Sequence, residues 1–168
     1  SGIPIARIEL LDALQIKAVN NYSKLSLPEK PTLFVEFHGS DASVAEQSQR
    51  FGEIVTDLGG GPFEWATKPE DRTHLWTARH DVTYANKALR PGCDIWATDV
   101  CVPISRLTEC ILETTQDIEK FSSPIPLFGH VGDGNFHCEI LVRPDNEADL
   151  DEARRFNERV VNRALAME

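Results

Sequence analysis

Basic residues are scarce in this chain: 17 Lys plus Arg stand against 27 Asp plus Glu, a formal net charge of −10. Neither a nucleic-acid backbone nor an anionic membrane surface is an expected partner for such a balance. No apolar run approaches the roughly 20 residues that cross a bilayer, so membrane insertion is not expected. The N-terminus also lacks the basic region and apolar core of a signal peptide. The four cysteines, Cys93, Cys101, Cys110 and Cys138, show neither C-x-x-C spacing nor the density of a disulfide scaffold. Reduced thiols and a cytoplasmic location are therefore the default, with the mitochondrial matrix and peripheral membrane association left open. No Gly-rich phosphate loop follows a strand, and there is no G-x-S-x-G elbow. A self-contained nucleotide fold and a serine hydrolase are both disfavoured. Methionine occurs once, at Met167, and a periodic helix runs to Glu168 with no glycine stop signal. The expectation is a piece of a longer polypeptide.

What is present is an ordinary globular composition: 168 residues, 41% hydrophobic and 26% charged, enough for one domain over residues 1–168 with a real core. Ala6 to Leu10 alternates as a strand, and Leu11 to Tyr22 has helical spacing. Thr32 to His38 reads as a second strand, and a helix capped by Ser40 or Asp41 runs to the glycines at 59–61. Pro62 to Ala66 is a short strand candidate. Thr67 and Glu70 have capping-box spacing ahead of one helix of about 20 residues, striped by Leu75, Ala78, Val82, Ala85 and Leu89. Ile95 to Val102 is a strand, and Ile104 to Phe121 an amphipathic helix. Ile125 to Val131 and Phe136 to Val142 form a hairpin around Gly132-Asp133-Gly134-Asn135, and the last helix buries Leu150, Ala153, Phe156, Val160 and Ala164. The pattern predicts an α+β fold of ferredoxin-like type, an antiparallel sheet with helices packed mainly on one face.

The hairpin concentrates the chemistry. A four-residue loop would set His130 opposite His137, with Cβ atoms about 4.5–5.5 Å apart, and strand alternation would bring Glu139 to the same face. Two imidazoles and a carboxylate suit a divalent metal, Zn or Mn, with room for an outside ligand. The plain alternative is a partly exposed cross-strand histidine pair. Asp133 and Asn135 have ordinary turn roles, and alternation turns Cys138 away from the histidine face. Arg79 and Thr83 lie one turn apart, beside the apolar stripe, with no acidic residue three or four positions from Arg79. Arg79 is therefore either a carboxylate-binding guanidinium or a solvated surface residue. His38 and His74 have no partner at ligand spacing and read as structural.

Three ordered motifs carry a resemblance: Leu75-Trp76-Thr77-Ala78-Arg79-His80, the run from Thr98 to Leu107, and the run from Gly129 to Cys138. Together they resemble the C-terminal cap domain of vanillyl-alcohol-oxidase-type FAD-linked enzymes, the group of D-lactate and other D-2-hydroxy-acid dehydrogenases, across essentially the whole chain. The resemblance implies an FAD-binding domain elsewhere in the same polypeptide, a small 2-hydroxy acid as substrate and a divalent metal on His130 and His137. It further implies Arg79 and Thr83 at the substrate, Asn135 toward the cofactor, and leaves a homodimer open. In the family a Gly-Glu-His-Gly segment after the last helix supplies the remaining metal ligand and the base. No catalytic base is thus expected within these residues, and the chain alone is expected to be inactive. Two other readings remain: a stand-alone ferredoxin-like module binding a small acid or metal for regulation, and a metal-dependent hydrolase built on His130 and His137.

Overall fold

The computed structural model describes residues 2–168. Strand β1 (Ile5–Leu11) leads into helix α1 (Ala13–Ser23), whose start is set by Asp12: its side chain accepts a hydrogen bond from the Gln15 amide. Then come β2 (Thr32–Phe37), α2 (Asp41–Asp57), α3 (Pro69–His80), α4 (Val82–Leu89), β3 (Asp94–Ala97) and β4 (Val100–Cys101). The chain continues through α5 (Ile104–Ile118), β5 (Leu127–Gly129), a 3₁₀ turn (Val131–Asp133), β6 (Asn135–Val142) and α6 (Glu147–Leu165). The sheet runs β2-β1-β5-β6-β3, with β4 also pairing with β6, and every pairing is antiparallel. The α+β class follows.

Helices cover both faces of this sheet rather than mainly one. Leu127 of β5 and Phe136, Cys138, Ile140 and Val142 of β6 pack with Leu107, Cys110, Phe156 and Val160 from α5 and α6. The next residue of β5, Phe128, belongs instead to a second cluster with Leu11, Phe34, Ile16, Ala78, Val82 and Ala85 under α1, α3 and α4. Successive side chains of a strand point to opposite faces, so Leu127 and Phe128 divide the interior into two cores. Asp117 ties α5 to α6, accepting hydrogen bonds from Lys120, Arg159 and Arg163. Burial works to raise the Asp117 carboxyl, but these cations outweigh it and hold the group well below the usual carboxylate range.

Several sequence expectations need correction. Residues 62–66 form no strand; Phe63 and Trp65 instead continue an aromatic row from Phe51 on α2, with ring centroids 5.7 Å and 4.8 Å apart. The Thr67–Glu70 capping box does not form: the residue before α3 is Lys68, without a side-chain cap, and Pro69 opens the helix. The single 20-residue helix is broken at Asp81 into α3 and α4, although Ala78, Val82 and Ala85 stay buried on one side. The strand at 95–102 is interrupted at Thr98 and Asp99 without loss of register, since Ala97 opposes Glu139 and Val100 opposes Phe136. Thr98 fills the gap: its hydroxyl accepts from the Cys138 amide at 2.9 Å.

One stability prediction arises from Asp12. Burial pushes its carboxyl up to about 6, against three backbone hydrogen bonds that pull it down. Its folded form thus binds a proton more tightly than the unfolded chain, so its contribution to stability is full below about pH 4 and is lost as pH rises through about 6. Asp12→Asn keeps a good cap and removes the buried charge. Urea unfolding should find this variant about 1 kcal/mol more stable than the parent at pH 7–8, with the gain vanishing near pH 4.

Candidate functional site

The hairpin does not close as a four-residue loop. Strand β5 ends at Gly129, and the 3₁₀ turn carries the chain over to β6, so His137 opposes Phe128 rather than His130. The difference from the expected register is two residues, which preserves the face each side chain points to. His130 and His137 therefore still meet, with ring centroids 5.8 Å apart and planes at 88°. Phe128 lies against His137 at 5.3 Å. Gly129 allows this turn because a Cβ there would stand 2.4 Å from the Phe136 Cα.

Arg79 is neither solvated nor unpartnered. Its Nε and Nη2 donate to Glu9 Oε2 at 3.0 Å and 2.8 Å, its side chain is only 12% exposed, and its guanidinium lies 4.9 Å from the Phe128 ring centroid. Glu9, on β1, is 4% exposed, and its other oxygen lies 2.6 Å from His130 Nδ1. A single buried carboxylate thus ties together the guanidinium and one imidazole. Sequence reasoning missed Glu9 because strand alternation assigned it to the polar side of β1, a side that α3 covers. The signal available was the absence of an acidic partner for Arg79 within its own helix.

The second imidazole also has a carboxylate beside it, but an exposed one. His137 Nδ1 lies 3.3 Å from Asp99 Oδ1, and Asp99 also accepts from Asn135 Nδ2 at 2.8 Å. Burial pushes the His137 imidazole below its usual value, while Asp99 opposes that shift. Cys110 and Cys138 are both buried, and burial raises their thiols.

Glu139 is placed differently from the expectation of a third metal ligand. It is 5% exposed, and its two oxygens accept from Thr83 Oγ1 at 2.7 Å and Asn86 Nδ2 at 2.8 Å, both on α4. Asn86 in turn exchanges two hydrogen bonds with Gln15 on α1. Among the described residues no three His, Cys, Asp or Glu side chains converge to hold a metal ion, so His130, His137 and Glu139 do not form a three-ligand group. The two imidazoles nevertheless suit metal ligation chemically. With Nδ1 facing a carboxylate, each would keep an unprotonated Nε2 as donor, the pattern of carboxylate-supported metal histidines.

The structure fits a flavin only as a group held mainly by other residues. No Gly-rich phosphate loop is present in the sequence, and the Asn135 amide nitrogen is committed to Asp99 and to the Val100 carbonyl. Only its carbonyl oxygen remains for a cofactor. No helix of the described residues is long and apolar enough to cross a membrane.

The sequence is similar to those of several known flavoenzyme-family proteins. The chain is 51% identical over 168 residues to the probable mitochondrial D-lactate dehydrogenase of Danio rerio, matching all of this chain and 34% of that protein. It is 39% identical to the mitochondrial D-lactate dehydrogenase [cytochrome] of Arabidopsis thaliana, of which it matches 30%. A more distant relative is the glycolate oxidase subunit GlcD of Bacillus subtilis, 26% identical over 148 residues, 86% of this chain and 31% of that protein. The chain thus spans about a third of the length of the curated relatives it matches. Residues 1–168 match the family described as FAD linked oxidases, C-terminal domain, and the chain belongs to that family.

Proposed function

We propose that this chain is the substrate- and metal-binding cap domain of an FAD-dependent D-2-hydroxy-acid dehydrogenase of D-lactate type, which oxidises the acid to the 2-oxo acid. One observation carries the reading: Arg79, fixed by Glu9 and Phe128, stands beside two imidazoles that are each supported by a carboxylate. The relatives named as D-lactate dehydrogenases supply the substrate class. Their names also carry a mitochondrial location, which we extend to the whole protein in place of the cytoplasmic default.

When bound, FAD would supply a hydride acceptor, and a divalent ion such as Zn or Mn, held by His130 and His137, would supply Lewis acidity toward the substrate hydroxyl. Everything else is the work of side chains. Arg79 spends its Nε/Nη2 edge on Glu9 and keeps Nη1 for the substrate carboxylate. Glu9 and Asp99 orient His130 and His137 as the protein ligands of the ion, with the remaining ligand supplied from outside this chain. Phe128 shields the guanidinium and the His137 ring from water, which strengthens each charge interaction there. Thr83 lines the substrate one turn beyond Arg79, and the carbonyl of Asn135 faces the cofactor. The base that takes the hydroxyl proton is assigned to the rest of the polypeptide, so the isolated chain should be inactive.

The test uses the full-length polypeptide. D-Lactate should bleach the flavin under anaerobic conditions, and Arg79→Met should raise KM by about 10- to 100-fold, the range of one charge-assisted hydrogen bond. His130→Ala should lose the bound divalent ion, measured by elemental analysis. A flavin that D-lactate, glycolate and D-2-hydroxyglutarate all leave oxidised would remove the reading.

A further inference from the structure

Glu139 has no part in the reaction just described, yet it lies beside the groups that do. It follows His137 by two positions on the same face of β6, about 7 Å farther along the strand. Its partner Thr83 follows Arg79 by about one helical turn. The bond between Thr83 Oγ1 and Glu139 therefore bridges helix to strand one step along from the place where Arg79 and His137 both lie against Phe128. A ligand held by Arg79 and the histidines meets the Thr83–Glu139 pair as its next wall.

Glu139 accepts at both oxygens, from the Thr83 hydroxyl and the Asn86 amide. Both donors are neutral. Arg79 already shares its charge with Glu9. Asn86 is itself fixed by Gln15, so the acid has little freedom to turn away when a second negative group arrives.

We infer that Glu139 is a specificity-determining residue that restricts the substrate to monocarboxylic 2-hydroxy acids by repelling a second carboxylate at the Thr83 wall. This rests on the functional reading above. A substrate ending in a methyl or a short apolar group meets the Thr83 methyl and hydroxyl at no electrostatic cost. A dicarboxylic acid brings a like charge to within several ångströms of a partly desolvated carboxylate, where repulsion amounts to a tenfold effect or more.

The experiment compares kcat/KM for D-lactate with that for D-malate and D-2-hydroxyglutarate in the full-length flavoprotein and in Glu139→Gln. The amide can keep both contacts while losing the charge, its oxygen accepting from Asn86 Nδ2 and its nitrogen donating to Thr83 Oγ1. The expected result is a rise of at least tenfold in the dicarboxylate-to-lactate ratio, with Glu139→Asp retaining the parent's discrimination and Thr83→Val, which leaves the charge in place, shifting the ratio far less. An unchanged ratio in Glu139→Gln overturns the inference. So does a parent enzyme that oxidises D-malate as efficiently as D-lactate, a result that does not depend on the variants folding. A parent enzyme inactive on every 2-hydroxy acid would instead refute the functional reading.

Discussion

Arg79→Met is expected to destabilise the fold by about 3 kcal/mol and Glu9→Leu by a similar amount, whereas the double substitution costs less than either alone. The reasoning turns on what each change leaves behind. Without Arg79, the Glu9 carboxylate stays 4% exposed with His130 as its remaining partner. Without Glu9, the guanidinium stays 12% exposed against the Phe128 ring, with two donors unsatisfied. Removing both charges leaves two apolar side chains beside Phe128 and Ala78, where they can pack. Urea unfolding of the parent, the two single variants and the double variant forms a complete cycle, and a favourable coupling energy of at least about 3 kcal/mol is the predicted outcome, as a double loss smaller than either single loss requires. Additive losses would mean that the pair is not energetically linked. The same cycle separates folding from binding: the double variant should regain stability while losing affinity for an acidic substrate, because Met has neither the charge nor the Nη1 donor that Arg79 keeps for the carboxylate.

The second large effect concerns the turn that delivers the histidines. Gly134→Ala should cost about 3 kcal/mol or more, at the high end for a single substitution. Two causes add. Gly134 has φ of +77°, a left-handed conformation that disfavours a Cβ by roughly 1 kcal/mol. A Cβ there would also stand 2.2 Å from the Val102 carbonyl oxygen, a backbone atom that itself accepts no rearrangement without breaking the bond from the Val102 amide to the Gly134 carbonyl. Thermal unfolding should show the loss directly. The companion expectation is that any folded fraction loses substrate-dependent flavin reduction, because the turn fixes His130 relative to β6.

Much of the molecule was legible in sequence, for identifiable reasons. The strand at 32–37, the helix capped by Ser40 and the final helix are written in periods of two and 3.6, which burial enforces. The pairing of His130 with His137 survived a register error because that error was even, and even slips conserve faces. Asp81 was opaque: nothing in its identity announces a helix break, and the apolar stripe continues across it. The aromatic row through Phe63 and Trp65 was opaque as well, since alternating residues along a groove mimic a strand. Glu9 and Asp99 were the larger omissions. Each reaches its partner across a fold that brings residue 9 to 79 and 130, and residue 99 to 137, and local patterning carries no information about such distances.

The division of the interior by Leu127 and Phe128 has a consequence for how this domain can change. The chemistry-bearing groups Glu9, Arg79, Glu139 and both histidines lie on the side of α1, α3 and α4, and the other layer, with its Asp117 clamp, contributes none of them. Volume-preserving substitutions on the buried faces of α5 and α6 should then reach these five side chains only through the intervening strands, and so change stability before they change the site.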